Sequence, residues 1–185
     1  ALSETIRAPK YPFAVDAEAA KRGGALYEAQ CARCHEAKDE DARLVALEEI
    51  GTDPNRARMF GEEMAKGLDD WLLSLTVKGF QHNTGDLRST GKYFSVPLAG
   101  VWARAPYLHN GSVRTMRELL MPATSRAKTW KRGSRVYVPE EMGFANEGTF
   151  TFDTAIPGNA NSGHEYGATL TEEEKRDLME CLKTR

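Results

Sequence analysis

The five residues from Cys31 to His35 constrain this chain more than any other stretch. They read C-x-x-C-H, the sequence to which haem c is attached. Two thiols at this spacing can each add to one vinyl group of a porphyrin, and the histidine that follows is then placed to bring a ring nitrogen to the iron. We therefore predict one covalently bound haem c, held by Cys31 and Cys34, with His35 as the proximal iron ligand.

Three other interpretations fit two closely spaced cysteines. A zinc site needs a fourth ligand, usually from a second pair of cysteines or histidines. A thioredoxin-like dithiol lies near a βαβ pattern and does not need His35. A chance match is the third. The flanking sequence favours haem, because it predicts a helix that leads into the first cysteine.

A helix is predicted near each end of the chain. Asp16 is a suitable N-cap, and small or aromatic residues recur at helical spacing over residues 17–30. The two glycines inside this helix, Gly23 and Gly24, suggest the close approach of another backbone. The last segment, residues 171–185, opens with a T-x-x-E capping box and carries two leucines on one face. We expect these two helices to pack against each other.

This arrangement resembles the cytochrome c fold, in which the first and last helices cross near the haem and a small residue permits the contact. The resemblance implies a mainly α fold: a cytochrome c fold with long loop insertions. Short alternation at residues 135–138 and 149–152 would add one small β-hairpin. We predict an extended N-terminal arm at residues 1–16 and a single cytochrome c domain at residues 17–185, with an insertion at about residues 52–160.

Composition excludes some classes of function. The formal net charge is −2, with 28% charged residues, so nothing indicates a nucleic-acid-binding protein. No stretch is long and apolar enough to span a membrane. The sequence starts at Ala1 without Met, as expected if a signal peptide has been removed. Because bacteria attach haem c in an extracytoplasmic compartment, we expect a periplasmic protein. Cys181 is expected to be a small buried apolar residue without chemistry.

The segment from Gly91 to Val113 is apolar but interrupted by proline and glycine, so it cannot form one helix. Its aromatic side chains would lie over a buried surface, and a haem face is the largest flat apolar surface available. We take four of its residues as candidate haem contacts: Pro97, Trp102, Arg104 and Tyr107. The carbonyl of Pro97 is also a candidate acceptor for the second ring nitrogen of His35, since metal-bound histidines usually have such a partner.

Parts of this segment resemble the C-terminal haem domain of bacterial di-haem cytochrome c peroxidases. V-P-L-A-G-V from Val96 and P-Y-L-H-N-G-S from Pro106 are similar to the V-P-x-L-R-x-V and P-Y-x-H-D-G-S patterns of that domain. G-T-D-P-N-R from Gly51 and P-G-N-A-N-S-G-H-E-Y-G from Pro157 are more similar to the rubber-oxygenase branch of the same superfamily. Those enzymes hold two haems, whereas this sequence has a single C-x-x-C-H. The resemblance therefore implies the electron-transferring half, without peroxidase or oxygenase activity.

The sixth iron ligand decides between a carrier and an enzyme. The rubber-oxygenase resemblance implies His164, since a histidine from this late part of the chain resembles the axial ligand of the second haem there. The glycine- and asparagine-rich loop before it can bring it to the iron without strain. Met121, Met142, His109 and an open position stay as alternatives. His82, in a polar loop, is expected to be exposed.

Two classes of function follow. A six-coordinate iron fits a cytochrome that carries electrons between redox partner proteins. An open sixth position fits a peroxidase-like enzyme, with Glu165 as its acid or base. A weaker alternative is a haem subunit of a larger redox complex. The basic residues from Arg126 to Arg135 are interpreted as a solvated loop, with counter-ions to the haem propionates or a docking patch for an acidic partner as alternatives.

Overall fold

The computed structural model describes residues 7–39, 41–75 and 87–185. Its helices are α1 (Ala17–Tyr27), α2 (Arg33–His35), α3 (Leu47–Ile50), α4 (Asn55–Met59), α5 (Glu62–Ser74), α6 (Met116–Leu119) and α7 (Glu172–Lys183). A π-helical stretch, Glu28–Ala32, joins α1 to α2. The strands are β1 (Leu44–Ala46), β2 (Lys92–Phe94), β3 (Thr129–Arg132), β4 (Tyr137–Val138), β5 (Gly143–Phe144) and β6 (Phe150–Asp153). None of these described helices combines the length and the apolar character that a membrane crossing needs.

Helices α1 and α7 cross with their backbones in contact at Gly23. A Cβ placed on Gly23 would overlap the main-chain carbonyl of Asp177 and come within 2.9 Å of the amide nitrogen of Leu178. Beside this point, Arg22 donates two hydrogen bonds to the Asp177 carboxylate, both 2.7 Å long. The predicted close approach of another backbone is confirmed at Gly23, where a larger residue would separate the helices, and is wrong at Gly24, where nothing lies within 4 Å of a Cβ.

Both helices begin at the residues that the sequence predicts. The Asp16 carboxylate accepts hydrogen bonds from the amides of Glu18 and Ala19, which satisfies two of the unpaired N–H groups of the first turn. The capping box of α7 is complete, with Thr171 and Glu174 each bonded to the other's main-chain amide. These caps fix where each helix starts.

The main hydrophobic core lies against the inner faces of α1 and α7. Tyr27, Val113, Met142 and Leu178 are each at most 1% exposed and belong to one cluster. Burying a side chain of this size stabilises the fold by about 1.5–3 kcal/mol. Cys181 is 4% exposed in the same cluster, so its predicted burial is confirmed.

The prediction of a mainly α fold with one small hairpin is wrong. Helix of all types makes up 40% of the described residues and strand 13%, and the same residues contain three two-stranded antiparallel sheets, β1–β2, β3–β6 and β4–β5. The predicted hairpin paired residues 135–138 with 149–152, whereas β6 pairs with β3 and β4 pairs with β5. In the β3–β6 pair, Trp130 lies opposite Phe152 and their rings stack at 5.3 Å between centroids.

The middle of the chain explains why the fold contains more strand pairs than predicted. Proline and glycine cut it into pieces too short for packed helices, as in α6, which ends before Pro122. Buried backbone N–H and C=O groups still need partners. Short strand pairs supply them, and the aromatic contact between β3 and β6 favours a pairing other than the predicted one.

The described part of the N-terminal segment, residues 7–15, contains neither helix nor strand. It is held by an aromatic cluster. The Tyr11 ring lies edge-on to the Trp102 ring at 5.5 Å, and the Phe13 ring stacks on Tyr137 at 5.9 Å. The Trp102 indole N–H also donates to the carbonyl of Pro9 at 3.0 Å. These contacts attach the segment to the core without secondary structure.

Replacing Gly23 by alanine is expected to lower the free energy of unfolding by about 2 kcal/mol or more, as overpacking does, because the new methyl group would collide with the backbone of α7. Urea unfolding followed by circular dichroism measures this. Gly24→Ala is the matched control, since nothing lies within 4 Å of a Cβ there and alanine is the better helix former by about 1 kcal/mol. Equal stability of the two variants would contradict the close helix contact.

Candidate functional site

Cys31, Cys34 and His35 lie on one face of the helical stretch that follows α1. Cys31 lies in the π-helical stretch, and the other two residues lie in α2. Residues three and four positions apart face the same side of a helix. All three are partly buried, and π-helical turns of this kind are frequent at functional sites. Two thiols and one imidazole are therefore presented together.

The ring of His35 is oriented by one main-chain hydrogen bond. Its Nδ1 lies 2.7 Å from the carbonyl oxygen of Val96. A carbonyl only accepts, so Nδ1 carries the proton and Nε2 keeps its lone pair. The predicted acceptor was Pro97, the next residue. Instead, the Pro97 carbonyl accepts a 2.8 Å hydrogen bond from Arg104.

The His164 ring faces the His35 ring across the site. Their centroids are 6.3 Å apart and the planes are inclined by 55°. A metal ion that is bound on opposite sides by two imidazole nitrogens, each at the distance of about 2 Å found in zinc sites, would give a centroid separation of about 6 Å. The spacing therefore fits one metal ion, such as a haem iron, between the two histidines.

The state of His164 also fits a metal ligand. Burial lowers the pKa of His164 to about 4, so the imidazole is neutral at neutral pH, and metal binding requires a neutral imidazole. Its Nδ1 is buried and has no hydrogen-bond partner among the described residues, a condition rare in folded proteins without a bound group. Burial likewise lowers the pKa of His35.

The loop that carries His164 is pressed against the end of α3. The main-chain amide of His164 donates to the Ile50 carbonyl at 2.8 Å. A Cβ on Gly163 would overlap the main chain around Gly51, so glycine is required there. His164 itself has φ +48°, a left-handed conformation that costs about 1–2 kcal/mol for a residue with a side chain. Surrounding contacts must therefore hold it in place.

The P-Y-L-H-N-G-S segment supplies some of these contacts. The Asn110 amide donates to the carbonyls of Gly158 and Ala160 at 3.0 and 2.9 Å. The Ser112 hydroxyl, which is fully buried, donates to the Ala160 carbonyl at 3.1 Å. The segment thus holds the loop that ends at His164, a role that sequence reasoning did not assign to Asn110 or Ser112.

His109 of the same segment is engaged elsewhere. Its ring stacks on Tyr93 at 4.3 Å, and its Nε2 lies 3.1 Å from the Tyr93 hydroxyl. That hydroxyl donates its single proton to the Asp53 carbonyl at 2.6 Å, so it must accept from His109. Nε2 of His109 then carries a proton and has no lone pair for a metal.

The other candidate contacts are spread around the site. Arg104 holds the chain beside His35, since it also donates to the Ala99 carbonyl at 2.6 Å. Trp102 packs on the core from the side of the aromatic cluster. Tyr107 is 6% exposed, and its hydroxyl donates to the Met142 carbonyl at 2.9 Å. Tyr107 is therefore a core residue with a satisfied hydroxyl.

The alternative ligands are placed less favourably. Met142 is fully buried in the main core with Val113 and Leu178. Met121 is partly buried just after α6. His82 lies outside the described residues. Within the ranges that the structure describes, no three His, Cys, Asp or Glu side chains converge to hold a metal ion, so the zinc interpretation finds no ligand set there.

The basic stretch from Arg126 to Arg135 is only partly solvated. Lys128, Lys131 and Arg132 are exposed, but Arg126 is 2% exposed. Trp130 is also buried, within β3. The interpretation as a solvated loop is wrong at Arg126. The composition of the stretch could not indicate this burial, because arginine is rarely buried unless it has specific partners, and these lie in distant segments.

Comparison with known proteins identifies a cytochrome c-like region in this chain. Residues 91–131 match the family described as RoxA-like, cytochrome c-like. Two uncharacterised proteins of Sinorhizobium fredii (strain NBRC 101917 / NGR234) are similar over most of the chain. Protein y4iJ is 30% identical over 246 residues, which cover 97% of this chain and 41% of y4iJ. Protein y4iM is 31% identical over 228 residues, which cover 95% of this chain and 50% of y4iM.

This chain therefore spans half or less of the length of these curated relatives. Residues 91–131 are a cytochrome c-like region, and the match indicates a haem-binding protein of the cytochrome type. The matched stretch includes Asn110 and Ser112, which hold the loop of His164, and Arg126.

Intact-mass measurement is expected to give the sequence mass plus one haem. Replacing both Cys31 and Cys34 by serine should leave the mass of the bare chain after denaturation, because no thiol remains to hold the porphyrin. Cys181→Ala is the control: it removes the third thiol, which is buried in the core, and should keep the added mass. A bare-chain mass for the unaltered protein, or covalent haem in the double variant, would rule out this attachment.

Proposed function

We propose that this chain is a mono-haem c-type cytochrome that carries electrons between redox partner proteins. The observation that carries the proposal is the pair of imidazoles, His35 and His164, at 6.3 Å between ring centroids, next to the thiols of Cys31 and Cys34. This set would provide two thiols to attach one haem and two imidazoles to bind its iron. Haem bound there would supply the one-electron chemistry of its iron.

The residues of the chain have distinct tasks in this proposal. Cys31 and Cys34 hold the macrocycle covalently. The hydrogen bond from His35 to Val96 keeps the ring oriented and leaves Nε2 free to bind. His164, neutral because it is buried, would be the second imidazole bound to the iron. If both imidazoles bind, no coordination position would remain for a substrate, and this favours electron transfer over turnover.

The resemblance to the electron-transferring half of di-haem enzymes supports the same proposal, as does the single C-x-x-C-H in the sequence. A second candidate function is that of a haem subunit or domain in a larger redox assembly. This candidate is favoured by the length of the relatives, because the chain covers only 41% of y4iJ and 50% of y4iM. Both candidates would work in the periplasm, where bacteria attach haem c.

In the unaltered protein we expect a low-spin ferric iron without the weak near-infrared band of methionine ligation. His164→Ala is expected to turn the ferric iron high-spin, because it removes the sixth ligand. Optical and electron paramagnetic resonance spectra measure both states. A sulfur-to-iron band in the unaltered protein, or a low-spin His164→Ala variant, would make Met121 or Met142 the ligand to test.

The control for this experiment is His109→Ala. His109 is bonded to Tyr93 and has no ligand role in the proposal. This variant should therefore keep the spin state of the unaltered protein. A high-spin His109→Ala variant beside a low-spin His164→Ala variant would reverse the assignment.

The carrier proposal also predicts the response to hydrogen peroxide. With a reducing dye as co-substrate, the unaltered protein should show no more turnover than a denatured haem peptide, because both axial positions are filled. His164→Ala should gain peroxide reactivity, because one position is opened. Stopped-flow or steady-state absorbance of the dye measures the rate. Sustained turnover by the unaltered protein, well above the peptide background, would favour the peroxidase-like alternative.

A further inference from the structure

Arg126 is a buried cation whose donors are all used on the main chain. Its side chain is 2% exposed. A guanidinium group has five N–H donors in a planar fork. They reach five main-chain carbonyls: Met121 at 3.3 Å, Asn161 at 2.6 Å, Gly163 at 2.7 Å, Leu119 at 3.1 Å and His164 at 3.2 Å.

Three of these five carbonyls belong to one short segment, residues 161–164, which ends at His164 itself. The other two lie at the end of α6 and just beyond it. One side chain therefore ties the loop that carries His164 to a fixed part of the fold. The hydrogen bonds to Asn161 and Gly163 are the shortest of the five. Arg126 therefore holds the residues just before His164 most closely.

The backbone conformation at the end of this loop requires such stabilising contacts. Gly163 and His164 both have left-handed backbone conformations, with φ of +68° and +48°. Such a conformation persists in a residue with a side chain only when the surroundings enforce it. Asn110 and Ser112 bond to Gly158 and Ala160, at the start of the loop. Arg126 bonds to its end, where the imidazole is attached.

We propose that Arg126 is the positioning residue that keeps the His164 imidazole at the iron, and that it thereby sets how readily this ligand is displaced. The proposal rests on the assignment of His164 as the sixth ligand. Arg126 does not touch the iron or the haem in this role. It acts through the main chain of residues 161–164.

Lysine at this position separates the charge from the geometry. An ammonium group is also a cation, but it has three donors and cannot serve five carbonyls spread over a planar fork. At least two buried carbonyls would then lose their partner. A buried acceptor without a hydrogen bond costs free energy. The loop of residues 161–164 should therefore move away from its folded position part of the time, and His164 should then leave the iron.

The test uses the full haem-loaded chain with Arg126→Lys, Arg126→Gln and His164→Ala side by side. Arg126→Lys should show a partly high-spin ferric spectrum, and its ferrous form should bind carbon monoxide about tenfold faster or more, given that the loss of one buried hydrogen bond is worth about a factor of ten. Arg126→Gln should show a larger effect, since it has fewer donors and no charge. Circular dichroism checks that each variant is folded, and if the glutamine variant is not, the lysine variant decides.

Arg132→Lys is the matched control, because it makes the same chemical change in the same basic stretch at an exposed position. It should keep the spin state and the carbon monoxide rate of the unaltered protein. A folded Arg126→Lys variant with unchanged spectrum and rate, beside a high-spin His164→Ala variant, would overturn the role of Arg126 alone. A low-spin His164→Ala variant would instead overturn the ligand assignment, and this inference with it.

Discussion

The contact between α1 and α7 at Gly23 is the constraint on which the rest of the structure depends. The absence of a side chain there lets the backbone of α1 rest on that of α7. Tyr27, one turn further along α1, is 1% exposed, and the guanidinium of Arg185 lies 3.6 Å from the centre of its ring. The π-helical stretch and the two cysteines follow directly. The direction in which the thiols and His35 point is therefore set by a helix crossing outside the site.

The opposite side of the site is built on another principle. His164 lies in a loop, and hydrogen bonds from distant side chains to the main-chain carbonyls of the loop help to hold it. Asn110 and Ser112 donate to it from one segment and Arg126 from another. Buried polar groups of this kind stabilise a structure only when all are satisfied. The position of His35 thus rests on helix packing and that of His164 on a polar network.

Local signals in the sequence predicted the first side well. The C-x-x-C-H spacing, the Asp16 cap, the capping box of α7 and the glycine at the helix crossing each depend on a few neighbouring residues. The second side depends on contacts between distant segments. Nothing in a run of basic residues distinguishes Arg126, which is buried, from Arg132, which is exposed. The mixed fold was missed for the same reason, since the β3–β6 pairing follows from the contact of Trp130 with Phe152, and the β4–β5 pair lies between them in the sequence.

The two sides of the site also differ in when they can form. The spacing of the thiols and His35 along the helix needs only the local coiling of α1 and the turn after it, and helices of this length form on the microsecond scale. The seat of His164 requires Ile50, Asn110 and Arg126 to meet the loop. Contacts between residues so far apart in sequence form late, because the chain between them must first be ordered. The spacing of the two thiols can therefore exist on a chain that is still largely open, whereas the seat of His164 cannot.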